Sequence, residues 1–253
     1  MLQTGDLDLP PGFEGVRLRE AGDAFEQACA IAGERGAGTF VWVSRYDLVE
    51  FAVVLEPEEP LAQARRGFFA GMNALADALA AHCPPERDVA FLWPDAVVFD
   101  RALIGGGRLG APKDCREDEV PDWLVYSAML RLADLSYLEP GETPGTTTLT
   151  GEGFEIVSAE AIMESFARHL MSAFDLWKDK GFRAVGEHYL QRLPKKLASE
   201  RRLIDANGDL LVSLPAAAKP DRASLRAGLD TCQWYDRATR YPKSKFNLQD
   251  EAV

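Results

Sequence analysis

The chain carries 253 residues, 47% of them hydrophobic and 27% charged, with 28 basic against 40 acidic side chains and a formal net charge of −12. These proportions belong to a soluble globular protein of one large or two modest domains, and the acidity argues against nucleic acid or an anionic membrane as partner, since both need concentrated positive charge. The opening residues Met1-Leu2-Gln3-Thr4-Gly5-Asp6 lack the pattern of a signal peptide, and no apolar run approaches the roughly 20 residues of a membrane span, so a cytoplasmic protein is expected.

Residues 1–14, polar and interrupted by Pro10-Pro11, read as a loosely held arm. Asp23 can cap a helix running through Phe25, Ala28, Cys29 and Ile31 towards Gly33 and Gly36, with Cys29 a small core residue on its apolar face. Thr39 to Val43 is β-branched and aromatic, hence a strand, and the polar turn Ser44-Arg45-Tyr46-Asp47 leads into a second strand through Leu48 to Leu55. Pro57 and Pro60 end it and prepare one helix from about Leu61 to His82, with Leu61, Phe68, Met72, Leu75 and Leu79 on a single face.

The stretch from Phe91 to Arg108 reads as a strand into Trp93-Pro94, a second short strand, a turn at Asp100-Arg101, and a third strand carrying Gly105, Gly106 and Gly107. Consecutive glycines cost backbone entropy and supply nothing to pack, which points to another backbone or a ligand coming close there. A charged loop from Gly110 to Pro121 precedes the long strand candidate Trp123 to Leu132, and a flexible connection follows at 139–145. Ser158 can cap a helix with Ile162, Phe166, Leu170, Phe174 and Trp177 on one stripe, closed by Gly181, before a second helix from Phe182 to about Leu193.

After Pro194, the run Leu203 to Val212 is a hairpin signal with Asn207-Gly208 at its turn, and the polar remainder is anchored by Trp234 and Tyr235. Cys29, Cys83, Cys115 and Cys232 show no CxxC spacing and His82, His169 and His188 stand apart, so reduced thiols and no metal site are expected. Strands grouped between helices without strict alternation predict an α+β fold, a mixed and mainly antiparallel sheet flanked by helices, over residues 1–195, with a small β-rich domain over 196–253.

From Phe91 to Gly107 the sequence resembles the biotin and lipoate protein ligase family, whose catalytic domains carry Lys-Trp-Pro-Asn-Asp, a short strand and turn, then Lys-Leu-x-Gly on the next strand. Trp93-Pro94 keeps the centre of the first motif, and Leu103-Ile104-Gly105-Gly106 keeps the Leu-x-Gly part of the second. The flanking elements agree from about residue 20 to 195. The resemblance implies a fold of the class II aminoacyl-tRNA synthetase and biotin ligase type. It also implies an activity that joins biotin or lipoate to ATP as an acyl-adenylate and then passes the acyl group to a carrier-protein lysine. Bringing a carboxylate to a triphosphate needs positive charge and preorganised donors.

The sequence departs from the family where that charge should be. The lysine before Trp-Pro is Leu92, the Asn-Asp pair is Asp95-Ala96, and the lysine of Lys-Leu-x-Gly is Ala102. The family's Gly-Arg loop should lie between the two strands ending at Val43 and beginning at Leu48, where only residues 44–47 remain; Gly33 to Gly38 could stand in, with one arginine. The expectation is a ligase-like protein of altered or lost activity. Trp93, Asp95, Arg101, Gly105, Gly106, Gly107 and Arg108 line an inherited pocket, with the arginines open to a small carboxylate, a nucleotide-like ligand or a partner protein. The alternative is an active ligase or transferase using other groups; Cys115, with Lys113 nearby, could carry a thioester if its thiol pKa were lowered.

Overall fold

The computed structural model of the protein describes residues 7–85, 87–134, 144–154, 158–215, 217 and 219–247. Strand β1 (Glu14–Leu18) pairs in parallel with β2 (Thr39–Val43), and α1 (Ala24–Arg35) makes the crossover between them. The loose arm expected before residue 14 is instead packed from residue 7 onwards. Leu7, Leu9 and Phe13 lie against the core, Phe13 meets Phe40 edge-on at 6.2 Å, and the Asp8 N–H donates to Glu164. Beyond the arm, β1 is an edge strand of five residues with only Val16 and Leu18 half-buried, too short an alternation to stand out in sequence.

Strand β3 (Leu48–Leu55) follows β2 after the short turn expected at 44–47. The single helix expected from Leu61 to His82 is two, α2 (Leu61–Ala64) and α3 (Gly67–Ala80). At the junction the Phe68 and Phe69 N–H groups donate to Arg65 and Arg66 carbonyls three residues back, both at 3.0 Å. There Arg65 and Arg66 reach separate carboxylates, Glu117 and Glu59. The apolar stripe continues across this tight turn, which is why periodicity reads straight through it.

Strands β4 (Val89–Leu92), β5 (Ala96–Phe99), β6 (Ala102–Gly110) and β7 (Leu124–Arg131) complete a seven-stranded sheet in the order β1-β2-β3-β7-β6-β5-β4, antiparallel except at β1–β2. Helix α4 (Ala159–Lys180) starts where Ser158 Oγ accepts from the Ala161 N–H at 3.1 Å, and Gly181, at φ +79°, turns the chain into α5 (Phe182–Arg192). Then come β8 (Arg201–Ile204), β9 (Leu210–Ser213) and β10 (Asp221–Ala223) in a small sheet, α6 (Leu225–Thr231), and the short pair β11 (Tyr235–Asp236) and β12 (Tyr241–Pro242). The fold is the expected α+β type. The connection expected at 139–145 lies outside the described residues as far as 143. No helix among the described residues is long and apolar enough to cross a membrane.

Strands β2 and β3 are buried on both faces, so they lack polar alternation. Phe40, Trp42, Phe51 and Val53 face α3 and α4, while Val41, Val43, Ala52 and Val54 face α1. Helix α3 packs closely because Gly71 admits the Tyr126 ring: a Cβ at Gly71 would sit 2.4 Å from it. Tyr126 also stacks on Phe166 of α4 at 5.6 Å, so one tyrosine ties α3, the sheet and α4 together. Gly71→Ala should therefore destabilise the protein by about 1–3 kcal/mol despite alanine's better helix propensity. Urea unfolding of the two proteins would check this, and an unchanged or raised midpoint would refute the overpacking account.

Candidate functional site

The second face of the main sheet has two covers. Helix α1 lies over Ala52, Val54 and Val125, while the segment 232–246 lies over Leu48, Ala96, Val98, Leu103 and Met129. Between the covers runs a seam in which three strands each present a polar residue, Glu50 of β3, Ser127 of β7 and Arg108 of β6. Along β6 the alternation is explicit: a Cβ at Gly110 would meet Phe25 and Cys29 of α1, a Cβ at Gly106 would meet Trp234, and Arg108 stands between. Its guanidinium carbon lies 3.9 Å from the Phe25 ring centre and 4.5 Å from that of Tyr235, a cation held between two aromatic rings. The space left beneath, beside Asp23, Glu50 and Ser127, is about 10 Å³, at most one water.

The glycine run is crowded for three different reasons. A Cβ at Gly105 would stand 2.0 Å from the Met129 carbonyl, and one at Gly107 would stand 2.7 Å from Met72 Sδ on the helical face. At Gly106 a Cβ would approach the Asp95 carbonyl to 2.2 Å and the Trp234 indole nitrogen to 2.6 Å. Trp234 is fully buried, and its Nε1–H donates to the Gly107 carbonyl at 3.2 Å. The segment is fastened at further points: Tyr241 Oη donates to Asp47 at 2.8 Å, Arg45 lies over the Tyr241 ring at 4.6 Å, and Arg131 donates to the Pro242 carbonyl at 2.6 Å. The anchoring expected of Trp234 and Tyr235 is thus onto the glycine strand itself.

The residues singled out from sequence do not all meet. Gly106 and Arg108 belong to the seam. Trp93 lies on the opposite side of the sheet, its ring 5.9 Å from Phe69 and 6.0 Å from Tyr189, after which the cis Trp93–Pro94 peptide leads to β5. Asp95 is buried below Cys232, whose thiol is pushed up to about 12 by burial and by that carboxyl group. Arg101 is exposed in the β5–β6 turn, where Asp100 and Arg101 both take positive φ, and it stands about 23 Å along β6 from Arg108. Leu92 and Ala96 pack with the segment that covers the sheet. Cys115 has its thiol raised by desolvation and by Glu119 and Asp122, which opposes a nucleophilic role.

Glu50 is the residue that sequence reading passed over, although it is the one charge in the apolar run Leu48 to Leu55. It is 4% exposed, and its Oε1 accepts from the Ala24 N–H at the start of α1 at 2.9 Å. Burial raises its pKa to about 7, with Asp23 adding to the rise and the Ala24 N–H, Arg45 and Arg108 opposing it.

Residues 9–191 match the biotin/lipoate A/B protein ligase family. Among solved structures, a biotin protein ligase-like protein of unknown function from Silicibacter sp. TM1040 is 27% identical, covers 88% of this chain and 99% of its own, and superposes with a TM-score of 0.75. The apo biotin protein ligase of Aquifex aeolicus, at 14% identity, covers 83% of this chain and 95% of its own with a TM-score of 0.64, and that enzyme is also known bound to biotin and ATP. The Leishmania major biotin protein ligase in complex with biotin is 14% identical, covers 85% and 100%, and gives 0.54. No curated protein matches the sequence.

The raised acid at the seam has a measurable consequence. Because the folded pKa of about 7 exceeds the unfolded value near 4.5, the contribution of Glu50 is fully present below pH 4.5 and is lost as pH rises through 7. Glu50→Gln keeps an acceptor for Ala24 and removes the titration. Relative to the parent, it should gain on the order of 3 kcal/mol between pH 4.5 and 8. Denaturant unfolding across that range measures the difference, and a pH-independent difference would rule out a raised Glu50.

Proposed function

The chain belongs to the biotin/lipoate A/B protein ligase family, and from that premise we propose that it uses the family's fold without its acyl-adenylate chemistry. On this reading it is a protein of lost or strongly altered ligase activity that acts by binding. Its binding site is the seam beside the segment 232–246, with Arg108 as the group that receives a small carboxylate. The observation that carries the loss of the acyl-adenylate site is Trp234 seated on Gly106, where it occupies the space beside the glycine strand.

Electrostatics support it. Adenylate formation joins two anions and needs cations at the reacting centre, each such donor commonly accounting for 10² or more in rate. Leu92 and Ala102 stand where the resemblance implies lysines, and a four-residue turn joins β2 to β3 where it implies an arginine loop. The seam instead sets Asp23 and Glu50 beside Arg108.

ATP–pyrophosphate exchange with biotin, lipoate or octanoate should stay at background for the parent protein and for Trp234→Ala. Calorimetric titration of the same carboxylates should show a gain of binding in Trp234→Ala that is lost again in Trp234→Ala/Arg108→Ala. Magnesium-dependent adenylate formation by the parent would overturn the reading in favour of a working ligase. Acyl transfer that depends on Cys115 would overturn it in favour of a thioester enzyme.

A further inference from the structure

A cavity of about 560 Å³ lies between the end of β3 and helix α4, and it shares no lining residue with the seam. Its volume falls within the range of small-molecule sites. Separate pieces of chain build it, among them the arm at 11–13, the end of β3 with the loop to α2, the first residue of α3 and the C-terminal half of α4. The walls are apolar: Phe13 from the arm, Leu55 from β3, and Leu170, Met171, Phe174 and Trp177 from α4. Trp177 is held by groups outside the cavity, its ring 5.2 Å from that of Phe182 and 5.6 Å from the Arg66 guanidinium carbon. Met171, 41% exposed, stands at the mouth.

Gly67 sets the depth of this space. It is buried at the first position of α3, and its φ lies outside the left-handed region, so the backbone there does not require glycine. Outside its own helix, a Cβ at Gly67 would meet only Leu55 Cδ1, at 4.0 Å. One turn on, the room left by Gly71 is taken by the Tyr126 ring, whereas the room left by Gly67 belongs to the cavity. Neither strain nor a neighbouring side chain accounts for glycine at this buried helical position, and a bound molecule does.

The charged groups lie at the rim and not within the walls. Of the ionisable residues that line the cavity, Glu59 is taken up by Arg66, while Glu56, Glu58 and Lys178 are exposed. Glu56 also accepts from the Ala37 N–H at 3.2 Å. With the partner counted, three carboxylates stand against Lys178 and Arg66, so the signs are mixed, and water screens the exposed ones. An ion drawn between Phe174 and Leu55 would lose its hydration with no buried partner to offset the loss.

We propose that this cavity binds one small uncharged molecule with an apolar body, lying against Phe174 and Trp177 and over Gly67. The site is independent of the seam and of the reading that precedes it.

N-phenyl-1-naphthylamine, uncharged near neutral pH and fluorescent in apolar surroundings, is the probe. It is titrated into the full chain beside 8-anilino-1-naphthalenesulfonate, the same skeleton with an anionic group added. The uncharged compound should bind one-to-one, and the sulfonate about tenfold more weakly or worse. Gly67→Phe, which places a ring in the cavity, should weaken the uncharged probe at least about tenfold while the urea midpoint stays at or above that of the parent. Met171→Glu, at an exposed position where the fold accepts a charge, should weaken it severalfold even if Gly67→Phe fails to fold. Glu58→Gln and Lys178→Gln should leave its affinity unchanged. Absence of binding by the uncharged compound would overturn the proposal, as would equal binding of the sulfonate. Full affinity in Met171→Glu or in a folded Gly67→Phe protein would place the probe elsewhere and overturn it. A tenfold change in Glu58→Gln or Lys178→Gln would show that a rim charge holds the ligand, which overturns it too.

Discussion

The contact between Trp234 and Gly106 is the constraint on which this molecule's second sheet face depends. The indole can lie there because position 106 has no Cβ, and a methyl group would strike both the Asp95 carbonyl and the indole nitrogen. Once Trp234 is seated, its N–H satisfies the Gly107 carbonyl, and the neighbouring Tyr235 ring falls onto Arg108. The buried cluster around it joins Leu48, Ala96, Val98, Leu103 and Met129 to Phe246, so the end of the described chain becomes part of the main sheet's core. Burial of large aromatic side chains is among the strongest sources of stability a fold has, which makes this cover a structural element.

The seam left between α1 and that cover is where the remaining charges gather. Arg108 is retained in a narrow slot because its planar guanidinium can lie flat between Phe25 and Tyr235, which a lysine ammonium would do less well. Opposite it, burial and Asp23 raise the pKa of Glu50 to about 7, and its carboxyl oxygen accepts from the first N–H of α1, tying that helix to β3. A site that reacts two anions requires the reverse balance, with several cations and few acids. On the proposed function, family membership and the local groups point in different directions, since chemistry belongs to the site and not to the fold.

Much of the fold is legible from the residues. Asp23 and Ser158 cap the helices they precede, Gly181 separates α4 from α5, Asn207-Gly208 turns β8 into β9, and Trp93-Pro94 followed by Leu103 to Gly106 marks β4, β5 and β6. These features are local, each set by the conformational limits of one or two residues. The break at Arg65-Arg66 and the strand Glu14–Leu18 escape sequence reading because their causes lie elsewhere in the chain, in Glu117, in Glu59 and in the pairing with β2.

The candidate site divides the same way. That Leu92 and Ala102 stand where the resemblance implies lysines, that only residues 44–47 separate the two strands and that three glycines run together are all read from neighbouring residues in the amino-acid order. What fills the space beside those glycines is a matter of residues more than a hundred positions away. Trp234 meets Gly106, Tyr235 meets Arg108 and Tyr241 meets Asp47 only because the chain returns across the sheet after α6. Trp93 and Arg108, fifteen residues apart in one motif, end on opposite faces because the strand alternation and the turn between them decide direction, and neither is visible until the strands are paired.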